Sequence, residues 1–513
     1  MIFCLGGLAA ILLWCSVEVI ALSHISDPSK GAMTLFPPRV GWFNATLDHF
    51  RFDDERQFLQ KCLVYDKFWH QPSGPILLYL GNEGQVEDFY NNTGFMFEMA
   101  PELGALVLFV EHRYYGSSLP FGNESLSPSN VVFLTVEQAM ADFAVFLDHF
   151  RQQSGCPSTG CDTVLFGGSY GGMLAAWFRI KYPHLSVGAL ASSAPVDFYP
   201  NSGRQQAFWN ATLHTYRKYG GIPDCDKRIE KAYAAMVSRV DSGDLAGLSS
   251  LLRTCTPLRE SKSARGKLAQ YVRGALSSMA MVDYPIAADF VTPMPANPVA
   301  VACAQAVPPG DDGLIVWLNS AINIYLNYTG QLPCHYVESE LIGHRSVGLK
   351  GLLGGRRDGD NSIEMIAWNY QACTELILEP LTSDGFGFYP PDEDQIAAVE
   401  AACRARFNSV PRPAWIQTST GGSMLRFASN IIFSNGEKDP WRTGAPQGNQ
   451  LGPDVVLMEI PDAAHHEDLR FTVREDPPSV GVAKRKELAY IKRWLGLDAR
   501  TTGHVDDAGD IVI

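Results

Sequence analysis

The sequence predicts an α/β fold, a parallel sheet covered on both faces by helices and broken by one long, mostly helical insertion. Three observations predict it. Before Pro195, short apolar runs (Pro75–Leu80, Ala105–Val110, Thr163–Phe166, Val187–Ala194) alternate with stretches of helical period. That alternation is how a doubly covered parallel sheet reads. The pattern stops after Pro195 and resumes at Asn430–Ser434 and Val455–Ile460. In between, Ile229–Val240 and Gly266–Met281 have helical period, and six cysteines cluster.

The chain divides accordingly: residues 1–21 as a signal peptide, 40–196 and 414–497 as two parts of one α/β domain, 197–413 as a helical cap inserted into it, and 498–513 as a polar tail. With 513 residues, 46% hydrophobic and 19% charged, the chain has an ordinary globular composition. Its net charge of −14 argues against nucleic acid and against anionic membrane surfaces as partners. The apolar run after Met1 is too short and too early for an ordinary spanning helix. It fits a secretory signal ending near Ala21, although no Lys or Arg precedes the run. No other stretch is apolar enough to span a bilayer, so no membrane partner is expected once the signal is removed.

Sequons at Asn44, Asn91, Asn123, Asn210 and Asn327 agree with the secretory route. So do the cysteines. Losing Cys4 and Cys15 with the signal leaves nine, and no metal-ligand spacing appears among them. Cys225, Cys255, Cys303, Cys334, Cys373 and Cys403 read as a disulfide-stapled region. Cys156 and Cys161 are placed to close a small loop, which leaves Cys62 buried and free. No cofactor and no metal is implied.

Taken in order, Phe43 to Tyr65 alternates as a hairpin does. The buried run Pro75–Leu80 ends in Gly81-Asn82-Glu83-Gly84, and Ala105–Val110 runs into Glu111-His112-Arg113-Tyr114-Tyr115-Gly116. His112 reads as structural, with Glu111 and Arg113 as its partners. Thr135 to Phe150 reads as a helix capped by Thr135. Gly348–Asp360, with Arg356-Arg357, reads as an exposed loop. A last amphipathic helix runs from about Val480 to Leu495.

The chemistry centres on Gly167-Gly168-Ser169-Tyr170-Gly171-Gly172, set between a buried strand and a helix. Strand, sharp turn and helix form the setting of a Gly-x-Ser-x-Gly nucleophile elbow. There the serine's backbone is strained, so Gly167 and Gly171 must be small. The oxyanion donors expected are the Tyr170 amide and an amide from Gly81 or Asn82, on the loop after the earlier strand. A serine hydroxyl needs a base and an acid to orient that base. In α/β-hydrolases these follow in the order Ser, Asp or Glu, His. Ser169, Asp439 and His465 occur in that order, each at the end of a predicted strand. Glu437 rivals Asp439 and His466 rivals His465, while Glu467 and Asp468 read as solvated charges.

At these residues the chain resembles the lysosomal Pro-X carboxypeptidase and dipeptidyl peptidase II family of serine exopeptidases. The resemblance rests on Gly81–Gly84, Glu111–Gly116 with Ser118–Gly122, and Gly167–Met173. It continues through Met281–Pro285, Tyr370–Glu375, Phe433–Gly436 with Asp439–Trp441, and Ala464–His466 with Asp468–Arg470. It implies an α/β-hydrolase fold with a helical cap that narrows the site to chain ends, and cleavage next to proline. It implies Ser169 as nucleophile, Asp439 as orienting acid, His465 as base, and Met173 and Trp441 as the lining of a proline pocket. It also implies the pairs Cys225–Cys303, Cys255–Cys334 and Cys373–Cys403. One further family pair is not reproduced, because no cysteine lies between Pro195 and Asp224.

For the end cleaved, Arg470 and His466 are candidates to hold a substrate carboxylate, and Glu83 to hold a free amine. The reading leans to a Pro-X carboxypeptidase that works through an acyl-enzyme on peptides with a proline near one end. Release of N-terminal dipeptides is the alternative. A lipase or esterase on the same fold and a non-catalytic binding protein rank lower. The expected location is the lysosome or the exterior, and a homodimer is left open.

Overall fold

The computed structural model describes residues 31–157, 160–198, 202, 204–259, 261–335, 337, 363–377, 395–422, 425–446, 448, 451–452 and 454–497. The expected signal peptide, the polar tail and the loop at Gly348–Asp360 lie outside the described residues.

Ten strands occur among these residues: β1 (Arg39–Thr46), β2 (Gln57–Tyr65), β3 (Ile76–Leu80), β4 (Leu106–Val110), β5 (Thr163–Gly168), β6 (Gly188–Ser192), β7 (Ala288–Asp289), β8 (Pro293–Met294), β9 (Ser429–Gly436) and β10 (Asp454–Ile460). Eight form one sheet in the order β1-β2-β4-β3-β5-β6-β9-β10, and β7 and β8 pair separately. β2 is antiparallel to both of its neighbours, and every other pairing in the large sheet is parallel. This is the α/β-hydrolase sheet. β6 and β9 are neighbours in space although the long helical stretch separates them in sequence.

Side-chain alternation sorts the core onto the two faces. Leu77, Tyr79, Val107, Phe109, Val164, Phe166, Leu190 and Ile432 point to one face. Ile76, Leu78, Leu80, Leu106, Leu108, Val110, Leu165 and Ile431 point to the other. Both sets are almost wholly buried, so the strands are apolar throughout rather than alternating, as a doubly covered sheet requires. Each such side chain contributes roughly 1.5–3 kcal/mol of burial. The second face is covered by the helices Val136–Gln153 and Tyr170–Lys181. The first of these is capped as expected, with the Thr135 side chain accepting from the Gln138 amide.

The Glu111–Gly116 stretch is a buried polar brace. Arg113 is fully buried, bonds both carboxylate oxygens of Asp142 at 2.6 Å, and donates to the Leu47 and Phe133 carbonyls. His112 is buried, as a structural residue would be, but only one of its two expected partners, Arg113, meets it. Its partners are the Arg113 backbone carbonyl and the Tyr170 hydroxyl, whereas the Glu111 carboxylate turns to Ser117, Ser118 and Val86.

Between β6 and β9 the described chain is mostly helical. The pairs Cys225–Cys303, Cys255–Cys334 and Cys373–Cys403 are formed, closing separations of 78, 79 and 30 residues. By loop-closure entropy each limits the unfolded chain by about 3–5 kcal/mol. Cys156 pairs with Cys161, and Cys62 is free and buried. Asn44, Asn123 and Asn210 are exposed. The Asn327 amide is instead engaged at both polar atoms by the Leu332 backbone, and Asn91 accepts from the Met33 amide. No helix among the described residues is long and apolar enough to cross a membrane.

Candidate active site

Ser169 sits between the end of β5 and the helix Tyr170–Lys181, with φ +56° and ψ −126°. A non-glycine residue there is strained, and the surroundings hold it in place. A Cβ on Gly167 would lie 2.1 Å from the Gly171 carbonyl oxygen, and one on Gly171 would lie 2.3 Å from Asn82 Oδ1. The turn closes only because both side chains are hydrogen. The Gly168 peptide is clamped as well: its carbonyl accepts from Asn82 Nδ2 at 2.7 Å and its amide donates to the Tyr79 hydroxyl at 3.3 Å.

The expected acid and base meet. His465 Nδ1 lies 2.6 Å from Asp439 Oδ2, and both side chains are buried. Asp439 Oδ1 accepts from the Trp441 amide at 3.0 Å, which fixes the carboxylate's orientation. With Nδ1 engaged, Nε2 is the ring nitrogen left to exchange a proton. Three contacts hold the His465–His466 loop. The His465 amide donates to the Met281 carbonyl, the His465 carbonyl accepts from the Tyr284 hydroxyl, and the His466 amide donates to Ser193 Oγ. The loop lies against the elbow, since a Cβ on Gly168 would be 2.8 Å from the His466 ring.

The rivals have other places. Glu437 is tied to Lys218 and Tyr219 and takes the Asp462 amide; burial is the largest single influence and raises its carboxyl, but these hydrogen bonds together outweigh it and hold the carboxyl down at about 2. His466 is buried edge-on to Phe290 at 5.0 Å; burial, then His465 and Arg470, push its pKa well below the ordinary histidine value. Glu467 and Asp468 are not solvated. They are 3% and 1% exposed, and Asp468 accepts from Ser192 and Ser434 at 2.6 Å each.

Among the oxyanion candidates, Gly81 needs correcting. Its amide donates to the Val110 carbonyl at 2.9 Å and is committed to β4. A side chain there would meet that oxygen at 2.4 Å, so glycine serves close packing at this position. Tyr170 opens its helix, so its amide has no acceptor four residues earlier in that helix. The Tyr170 and Asn82 amides remain as the pair suited to an oxyanion.

Met173 and Trp441 are both buried but fall in separate apolar clusters, Trp441 packing on Phe198 and Phe208 at 5.4 and 4.8 Å. Arg470 Cζ lies 4.3 Å from the Tyr284 ring centroid, and its Nη1 is buried without a hydrogen-bond partner among the described residues. Glu83 is 1% exposed, neither carboxylate oxygen has a hydrogen-bond partner among the described residues, and burial raises its pKa to about 7. Sequence reasoning missed the supporting role of Met281–Pro285. This segment reaches the Asp439 loop too, through Lys438 Nζ at 3.1 Å from Asp283 Oδ2. The signal available was a buried-looking Asp-Tyr pair inside an apolar run.

The family model described as serine carboxypeptidase S28 matches residues 45–487. The lysosomal Pro-X carboxypeptidase of Bos taurus is 38% identical over 464 residues, covering 89% of this chain and 88% of that protein. Its Homo sapiens counterpart is 38% identical over 462 residues with the same coverage. A Caenorhabditis elegans protein named prolyl carboxy peptidase like protein 5 is 35% identical over 483 residues, covering 91% of this chain and 92% of its own length.

Proposed function

The chain belongs to the serine carboxypeptidase S28 family, and from that premise we propose that it removes the residue following a proline at a peptide's C-terminus. Ser169 Oγ attacks the prolyl carbonyl carbon and gives its proton to His465 Nε2. Asp439 stays ionised and balances the imidazolium. The Tyr170 and Asn82 amides take the developing oxyanion. His465 then protonates the leaving amine as the C–N bond breaks, and water releases the acyl group by the same steps in reverse roles. Trp441 and Met173 supply flat apolar surface of the kind a proline ring packs on.

The observation that carries the choice of end is Arg470. Its guanidinium stands over the ring of Tyr284, whose hydroxyl bonds the His465 backbone, and its buried Nη1 has no hydrogen-bond partner among the described residues. A cation tied to the base-bearing loop suits a substrate carboxylate. Glu83 suits an amine less well, because a carboxyl raised to about 7 is largely neutral at acidic pH. His466 is held neutral and is an aromatic wall in this reading.

The sequons, the disulfides and the names of the relatives support a lysosomal or secreted protein, with residues 1–21 as its signal and 197–413 as the cap. The test is a peptide bearing one proline near each end, incubated with the protein and with Ser169→Ala. Loss of one C-terminal residue, abolished in the variant, is expected. Release of an N-terminal dipeptide overturns the choice of end, and full activity in Ser169→Ala overturns the nucleophile.

A further inference from the structure

The Tyr170 side chain is held by a helix that comes from between β6 and β9. That helix, Ile363–Thr374, brings Gln371 Nε2 within 2.9 Å of the Tyr170 hydroxyl and Trp368 edge-on to its ring at 5.5 Å. On the other side of the hydroxyl stands His112 Nε2 at 3.0 Å. Tyr115 reaches Gln371 Oε1 at 2.6 Å. Gln371 Nε2 also lies 3.3 Å from Glu375 Oε1, and the Glu375 carboxyl accepts the Val136 amide at the start of the Val136–Gln153 helix. Gln371 is 0% and Tyr170 1% exposed, so water does not substitute for these bonds.

The direction of every bond in this chain is forced. The Arg113 carbonyl only accepts, so His112 Nδ1, 2.7 Å away, carries the ring proton. Burial lowers the His112 pKa to about 4, which keeps the ring neutral and leaves Nε2 an acceptor. The Tyr170 O–H therefore donates to His112, and its oxygen accepts from the Gln371 amide nitrogen. Gln371 Oε1 then accepts from Tyr115. A glutamine fits both ends of that order, and a carboxylate of the same shape does not, because it has no donor for Tyr170. Fully satisfied buried networks of this kind hold a single geometry.

Tyr170 is the residue next to the strained Ser169, and its own amide is the oxyanion donor of the proposed mechanism. We propose that Gln371 is a positioning residue that fixes the Tyr170 ring and, through it, the backbone amide facing the oxyanion, so that catalysis requires this helix seated on the elbow. The proposal rests on the serine-peptidase reading above. The Cys373–Cys403 pair, on the same helix two residues from Gln371, ties that helix to Gln395–Phe407.

The test compares kcat, KM and thermal midpoint for Gln371→Met, Tyr170→Phe and the double variant on a Pro-X peptide, with the affinity of a peptidyl-prolyl boronic acid, which forms a tetrahedral adduct on serine. Gln371→Met is expected to lower kcat and boronate affinity together, roughly ten- to a hundredfold, as a displaced catalytic donor does. KM should hold within about twofold, a split that mere loss of fold stability does not produce. Tyr170→Phe should match it, and the double variant should lose no more than the worse single one. Unchanged kcat and boronate affinity, a loss confined to KM, or losses that multiply in the double variant would each overturn the proposal. If Gln371→Met fails to fold, Tyr170→Phe removes the hydroxyl alone and carries the same expectations. An active Ser169→Ala would instead mean that the underlying serine reading has failed.

Discussion

His465 Nδ1 and Asp439 Oδ2 stand 2.6 Å apart in a pocket where Asp439 is 0% and His465 2% exposed. Asp439→Asn keeps the shape and the acceptor for the Trp441 amide but turns a donor toward Nδ1. The imidazole is then held in the wrong tautomer for accepting the Ser169 proton. Peptide hydrolysis should fall in kcat by about 10⁴-fold with KM little changed. Steady-state kinetics on a Pro-X peptide, with circular dichroism to confirm the fold, decide it.

Arg113 and Asp142 form a doubly hydrogen-bonded pair with neither side chain exposed to solvent, and His49 shares the carboxylate at 2.7 Å. Arg113→Met leaves Asp142 buried without its cation. The cost should be on the order of 3–5 kcal/mol. A urea midpoint lowered at constant m-value is the expected result, and an unchanged midpoint would contradict the packing described.

Gly171→Ala tests the elbow without touching the reacting groups. The added methyl meets Asn82 Oδ1 at 2.3 Å and the Leu80 carbonyl at 2.9 Å. Asn82 must move, and it is the clamp on the Gly168 carbonyl. Activity should fall by about 10²-fold or more, as expected for a misplaced nucleophile. Gly266→Ala, with open space around the added carbon, serves as the control and should keep activity and stability.

The sheet was legible because its strands are short, apolar and punctuated by Gly and Pro, a pattern that burial on both faces imposes. The elbow was legible because strain at Ser169 demands small neighbours, and sequence shows small residues plainly. The partners that hold the site were not legible. Nothing local to Gln371 announces that its amide meets Tyr170, which lies 201 positions away. Gly81 misled for a related reason. A glycine after a strand signals either a free amide or a close approach, and only the β4 carbonyl at 2.9 Å distinguishes them. Glu467 and Asp468 looked solvated because charge is a surface signal until Ser192 and Ser434 are seen to satisfy Asp468.

The buried carboxyls predict how stability responds to pH. Burial raises Glu83 and Glu467 to about 7, Glu375 to about 8, and Glu487 well above the ordinary carboxyl value, while the unfolded chain ionises them near 4.5. Their contribution is fully present below the unfolded pKa and is lost as pH rises through the folded one, because the unfolded state then binds fewer protons. His112 and His466 act in the opposite sense. Their folded values are lowered, so they favour the fold above about 6.5 and weaken it as pH falls through that value. Glu437, lowered to about 2, also opposes the raised carboxyls, but only below about 4.5. As pH rises above 6.5 the histidines lose their proton in the unfolded state as well, and the more numerous raised carboxyls dominate. Each costs roughly 1.4 kcal/mol per pH unit while protonated only in the folded protein. Thermal midpoints should therefore decline from pH 6.5 to pH 8. Glu375→Gln, which keeps an acceptor for the Val136 amide but cannot ionise, should shrink that decline. A midpoint that rises over this interval, or a decline that the substitution leaves intact, would mean these carboxyls are not held neutral by the fold.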